Sequence, residues 1–463
     1  MPVENSHDAV ARRSIFVQSC QRSFTTLSEA VRNASEFETI LLDDGIYVEQ
    51  DSIVLEKEGV TIRAKHSDPT ETRNVHIVSH TVEKHCFVVR AKGCVVFGLD
   101  VLHMSCHEEA HTHAKNQEQA ASTTRHSVAE SPMSKTSPRG CFSIEASNGC
   151  VDSCTITSVS GYGVMVWADA QPTVRGCVIQ HCAQAAIICG GTSSGSFQDN
   201  TLLFNKSFGF VVVDEAQGTF QNNSVLKTAK CGVLCAGQSR AIFRANEIAD
   251  GSQGGMWIRN SSEVQIIKNM IRNNAKAGLQ VGDESNPRVE NNTVENGKNG
   301  GVVIHGKARG LFIGNFLSGH AQAGVGVMDL ASPVLIGNTL EANTAGGAIL
   351  AGKSNSVWHN NTVKGNAVVG IGLKEDAVAQ IGGGAIEDND GHGLLLQSNC
   401  RLRLQDAVVS GNARAEIICA GTSGLSASGC WLHAAAGARA GTVGLQCTEE
   451  ASAECERSSI RGH

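Results

Sequence analysis

The sequence predicts an all-β chain wound as a parallel β-helix of 23-residue coils, and three observations predict it. The first is a small residue that returns every 23 positions from Gly163 through Ala186, Gly209, Gly232, Gly255, Gly278, Gly301, Gly324, Gly347 and Gly370 to Gly393, with the register extending back to Gly140 and forward to Glu416. Such fixed self-similarity outranks any local motif. The second is period-two alternation after each anchor, as in Val164/Val166, Val233/Cys235 and Leu279/Val281, which is the mark of a strand. The third is a pair of further apolar columns, eleven and sixteen places after the anchor, exemplified by Phe197, Phe220 and Phe243 and by Leu202, Val225 and Ile248. Three short inward-pointing segments per repeat, punctuated by Gly, Asn, Asp and Pro, are too short for helices and fit one turn of a solenoid.

Residues 1–23 read as a polar tail, and residues 24–102 as an N-terminal cap with the first coils. Thr26 and Glu29 have capping-box spacing, and Phe24, Leu27 and Val31 give a short amphipathic helix. A cap is physically required, because a first coil left bare exposes its apolar interior and a raw strand edge. Strands follow in "TILLDDGIYVE" and break at Asp44-Gly45 and Glu58-Gly59.

Between His103 and Arg139 the repeat vanishes into Ser, Thr, Glu, His and Lys, so residues 103–139 are expected to be a long polar insertion. It contains "HEEAH", a literal H-E-x-x-H from His107 to His111. In a metalloprotease that spacing needs a packed helix to align both histidines, and no apolar helix face is present here. Cys106, His107, His111 and His113 are therefore weak metal candidates at most, and no cofactor is expected. Regular coils occupy 140–434, and residues 435–463 are expected to be a C-terminal cap and tail.

Fourteen places after the anchor, eight successive units carry asparagine: Asn200, Asn223, Asn246, Asn269, Asn292, Asn315, Asn338 and Asn361. Stacked coils lie about 4.8 Å apart, within reach for one side-chain amide to donate to the next, so an internal asparagine ladder is expected at this turn. Cys154 and Cys177 occupy the same column; their stacking permits a disulfide in an oxidising setting, whereas a reducing compartment gives two buried thiols.

Units such as "GLQVGDESNPRVENNTVENGKNG" and "GVVIHGKARGLFIGNFLSGHAQA" resemble the right-handed β-helix repeats of the pectin-lyase-like superfamily, most of all those of F-box only protein eleven and Shc SH2-binding protein. The resemblance implies a right-handed β-helix with an N-terminal capping helix. It leaves activity open, since the superfamily includes lyases, hydrolases, epimerases and non-catalytic adaptors.

Enzymes of this superfamily work on the outer surface of the strand after the anchor. At the fifth place Asp214, Asp283, Asp329 and Glu375 are two or three coils apart, about 10–15 Å, too far to share a proton or a calcium ion. At the fourth place Arg259, His305 and Lys374 are equally dispersed. "NDGHG", residues 389–393, resembles the GHG of polygalacturonases, but that family's paired aspartates and Arg-x-Lys are missing, so His392 reads as a turn residue. A non-catalytic chain is the expectation.

The outer face of the first strand is instead apolar at Met165, Ile188, Val211, Leu234 and Trp257, joined by Trp167 and Val213. Either the 103–139 insertion covers this strip or a protein partner does. The formal charge of −7 argues against nucleic acid, and no apolar run approaches the roughly 18 residues that span a bilayer. MPVENSHDAVARRS has no signal core, which leaves a cytoplasmic location, cytoskeletal or ciliary/flagellar included, as the expectation. The reading is a protein-binding scaffold in a ubiquitin-ligase or cytoskeletal assembly, with a carbohydrate-binding or carbohydrate-active protein as the alternative.

Overall fold

The computed structural model describes residues 15–17, 22–65, 74–81, 84–104, 139–146, 148–433 and 443–461. It divides into two compact units, residues 1–184 and 185–463, and both are built of parallel β-helix coils. The insertion from 105 to 138, with Cys106, His107, His111 and His113, lies outside the described residues, as does most of the N-terminal tail.

In the first unit the helix forms over Leu27–Asn33, where the Thr26 side chain accepts the Glu29 N–H at 3.2 Å. Leu27, Ala30 and Val31 turn inward and are buried. The remaining N-terminal donors go to Glu49, whose carboxylate accepts the Leu27 N–H at 2.6 Å and the Ser28 hydroxyl. Ile15–Val17 runs antiparallel to both Arg22–Phe24 and Thr39–Leu42, so an antiparallel strand closes the edge of the first coil. Each coil then takes three strands; Thr61–Ala64, Val75–Ser79 and His85–Val89 make one.

In the second unit the register is the sequence period itself. Ile242–Arg244, Glu247–Ala249 and Met256–Ile258 pair in parallel with the strands 23 residues earlier, Phe220 opposite Phe243 and Val233 opposite Met256. Inside, Phe197, Phe220 and Phe243 stack with ring centroids 4.6 Å apart. The anchor must lack a side chain: a Cβ on Gly232 would lie 2.4 Å from the Ile248 side chain and 2.9 Å from the Gly255 carbonyl.

The asparagine ladder forms as the column predicts. The backbone N–H and side-chain amide of Asn246 both donate to Asn269 Oδ1 at 2.9 Å, and the same pair of bonds links each step from Asn200 to Asn361. From Asn223 onward the second amide hydrogen goes to a main-chain carbonyl, as from Asn269 to Phe243 at 3.0 Å. Cys154 and Cys177 are buried thiols, with the Cys154 N–H donating to the Cys177 sulfur at 3.5 Å.

A second ladder, which the sequence reading missed, runs nineteen places after the anchor through Asn343, Asn366, Asn389 and Asn412. His320 sits in this column: its Nδ1 accepts the Gly297 N–H at 3.1 Å while Nε2 donates to the Val294 carbonyl at 3.0 Å. The stack ends where Asn412 donates to Glu416, a carboxyl in the anchor place with no solvent exposure, whose pKa burial pushes up.

The expected C-terminal cap is in part another coil. Val443–Cys447, Ser452–Glu456 and Ser459–Arg461 pair in parallel with Ala415–Cys419, Gly424–Ser428 and Trp431–His433.

Candidate functional site

On the anchor strands, places one and three fill the interior, so place two faces outward. The apolar strip predicted there is not an open face. Met165 in the first unit, and Ile188, Val211, Leu234 and Val213 in the second, are 1–6 % exposed, and Trp167 is half-buried. Water is already excluded from these side chains, so they offer a partner little surface to dehydrate.

The outward row is interrupted by one polar residue, Gln280. Along it Trp257 lies opposite Gln280, and Gln280 opposite Val303. Two places further on, the same position in three successive coils holds Arg259, Gly282 and His305. A Cβ on Gly282 would stand 2.6 Å from His305 Cε1, so the imidazole lies back over the glycine. The ring thereby comes within about one strand spacing, ~5 Å, of the Arg259 row. There its Nε2 contacts the Gln280 amide nitrogen at 2.9 Å.

Arg259 lies with its guanidinium carbon 4.9 Å from the centroid of the Trp257 ring. Its Nε is 3.8 Å from Asp283, attractive but beyond hydrogen-bond reach. Trp257 Nε1 and Arg259 Nε are both shielded from solvent and have no hydrogen-bond partner. Buried donors are normally matched, and these two neighbouring side chains each carry an unmatched one.

The sequence reading treated Arg259, His305 and Lys374 as dispersed. His305 leans across Gly282, the position between it and Arg259 in register, whereas Lys374 is exposed three coils beyond His305. The fifth-place acids are engaged by the main chain. Asp214, Asp329 and Glu375 accept the backbone N–H of Gly191, Gly306 and Gly352 at 3.0, 2.9 and 2.7 Å, and Asp283 accepts that of Asn260 at 2.9 Å. Each pins a turn of the preceding coil while itself adopting positive φ. His392 is half-buried at the start of an anchor strand, and burial and the Arg414 charge lower its pKa. Among the described residues no group of three or more His, Cys, Asp or Glu side chains is placed to hold a metal ion. No helix among them is long and apolar enough to cross a membrane.

A family profile described as "Right handed beta helix region" matches residues 119–243, 229–340 and 307–432, more than half of the chain. No curated protein matches. Among solved structures, the chain is similar to the periplasmic alginate epimerase AlgG, at 12% identity over 77% of this chain and 81% of that one, with a TM-score of 0.36. A complex of alginate lyase AlyF-OU02 with G6 gives 11%, 73%, 81% and 0.48. The A-module of the Azotobacter vinelandii mannuronan C-5 epimerase AlgE6 gives 13%, 89%, 97% and 0.36. At these identities the likeness is one of fold. The expectation of a non-enzyme is corrected: the solved structures of this fold just named are epimerases and a lyase, so the fold gives no ground for excluding catalysis.

Proposed function

The chain belongs to the right-handed β-helix family, and from that premise we propose that it is a carbohydrate-active protein taking an acidic polysaccharide across the outer face of its anchor strands. The observation that carries this reading is that His305 lies over Gly282, the residue in register between it and Arg259, which brings the imidazole to within one coil of that arginine. A guanidinium is the natural partner of a uronate carboxylate. Neutralising that carboxylate acidifies the hydrogen on the adjoining carbon, and His305 stands nearby to take it. Abstraction of this proton is the common first step of β-elimination and of C5 epimerisation, and general base catalysis of this kind contributes about 10²–10⁴-fold. Gln280 engages Nε2 and leaves Nδ1 over. With the Gln280 amide nitrogen donating to Nε2, the neutral ring carries its proton on Nδ1. The base form is the other tautomer, with the Gln280 amide turned so that its oxygen accepts from Nε2–H and Nδ1 is left to take the proton. β-Elimination can return that proton to the leaving oxygen, whereas inversion at C5 replaces it with one from solvent on the opposite face.

The finer resemblance, to the repeats of F-box only protein eleven and Shc SH2-binding protein, goes with a protein-binding scaffold, and the burial of Ile188, Val211 and Leu234 counts against the strip as its docking face. The test is incubation with polymannuronate, polyguluronate and polygalacturonate, following unsaturated uronate by ultraviolet absorbance and inversion at C5 by proton NMR. Activity that falls at least about 100-fold in His305→Ala and Arg259→Ala supports the reading. Absence of both turnover and binding on all three polymers, with folding verified, overturns it.

A further inference from the structure

The outer face of the second strand of the late coils carries a different arrangement. Val378–Gly382, Arg401–Gln405, Gly424–Ser428 and Ser452–Glu456 are five residues long, and a depression of about 380 Å³ lies across all four. Its central column reads Gln380, Arg403, Ser426, Glu454 in direct register. Beside it Arg401 forms a fixed wall, its Nη1 donating to the carbonyls of Asn399, Cys400 and Thr422 at 3.2, 3.1 and 2.8 Å. Gly424 makes that possible, since a Cβ there would meet the Arg401 chain at 3.0 Å.

Arg403 and Glu454 are both exposed and, among the described residues, neither forms an ion pair or hydrogen bond. They face each other across Ser426, two strand spacings or about 9–10 Å apart, too far to neutralise one another and about the span of one sugar residue with its substituents. A dianion such as phosphate would be repelled by Glu454. A ligand with a carboxylate at one end and hydroxyl donors at the other satisfies both charges, with Gln380 and Ser426 between them to bond ring oxygens.

We propose that this depression is a second, non-catalytic binding site for a uronate residue of an acidic saccharide, its carboxylate on Arg403 and its hydroxyls on Ser426 and Glu454. The choice of ligand class rests on the carbohydrate reading above, but the site lies on a different sheet from Arg259 and His305. Its test is calorimetric titration of the full chain carrying Arg259→Ala and His305→Ala, with trimannuronate as probe and neutral mannotriose as control. Retained trimannuronate binding that weakens at least tenfold on adding Arg403→Ala, weakens less on adding Arg403→Lys, and is much tighter than mannotriose binding bears the proposal out. No binding in that background, equal affinity with and without Arg403, or equal affinity for the two trisaccharides overturns it. Turnover of polymer by the unmutated chain reports on the anchor-strand site alone, so the failure of either reading is seen separately.

Discussion

Gly282 leaves empty the volume that the imidazole of His305 occupies, for a Cβ there would stand 2.6 Å from His305 Cε1. Gly282 has ordinary negative φ, so alanine is tolerated by the backbone and rejected only by the ring. Gly282→Ala should therefore swing His305 off Gln280 while changing the melting midpoint little. Nitrogen NMR of the imidazole should show the loss of the Nε2 contact, and turnover of a uronate polymer should drop about tenfold or more, as displacement of a catalytic group does. An unaltered imidazole spectrum would mean that the ring is not held this way.

Asn269 donates to Asn292 Oδ1 through two N–H groups and accepts two from Asn246. Replacing it with alanine strands the donors of Asn246 inside the protein, and Asn269→Ala should cost about 1–3 kcal/mol in denaturant unfolding. A midpoint equal to that of the parent chain would count against the ladder.

His320 makes the second ladder sensitive to acid. Burial lowers its pKa from 6.5 to about 4, so the unfolded chain binds a proton more readily than the folded one. Stability supplied by keeping this ring neutral is complete above pH 6.5 and is lost as the pH falls towards 4, by at most about 3 kcal/mol. His320→Asn puts the column's usual residue in place without a titrating group. The difference in unfolding free energy between pH 7 and pH 4.5 should shrink accordingly, and an undiminished pH slope would locate the sensitivity elsewhere.

Leu234 is 5 % exposed although it points away from the coil interior. A carboxylate there has no partner and no water, so Leu234→Asp should destabilise by about 3 kcal/mol or more, whereas Lys374→Asp on the exposed turn should stay within about 0.5 kcal/mol. Equal midpoints for the two variants would show that the Leu234 position is open to solvent.

The coil, its register and the first ladder were legible because each repeats without interruption at one period. The second ladder was not, because Thr228, Gly251, Gly297 and His320 break its column and hide the hydrogen-bond role that the asparagines share. Burial at Ile188 and Leu234 was left open in the sequence, where alternation alone tells inward from outward and says nothing of what lies beyond the sheet. The lean of His305 over Gly282 was missed for another reason: spacing counts Cα positions, and a long side chain lying over a glycine crosses one whole coil. Spacing set the acids at Asp214, Asp329 and Glu375 aside as catalysts without giving them a role: a left-handed turn needs an acceptor for the preceding coil's N–H, and the acid supplies it.

Both asparagine stacks are one-way. From Asn200 to Asn338 each Asn gives its backbone N–H and one amide hydrogen to the coil that follows. Each from Asn223 lends its oxygen and returns the second amide hydrogen to the coil before, and Glu416 receives the last of the second stack. The two broken ends are therefore unequal. Shearing coils from the C-terminal side strands two buried N–H donors of a ladder Asn, whereas shearing them from the N-terminal side strands one, together with a side-chain oxygen, the orphan that proteins tolerate better. The solenoid carries an arrow, and partly built or partly proteolysed forms should accumulate with their C-terminal coils intact.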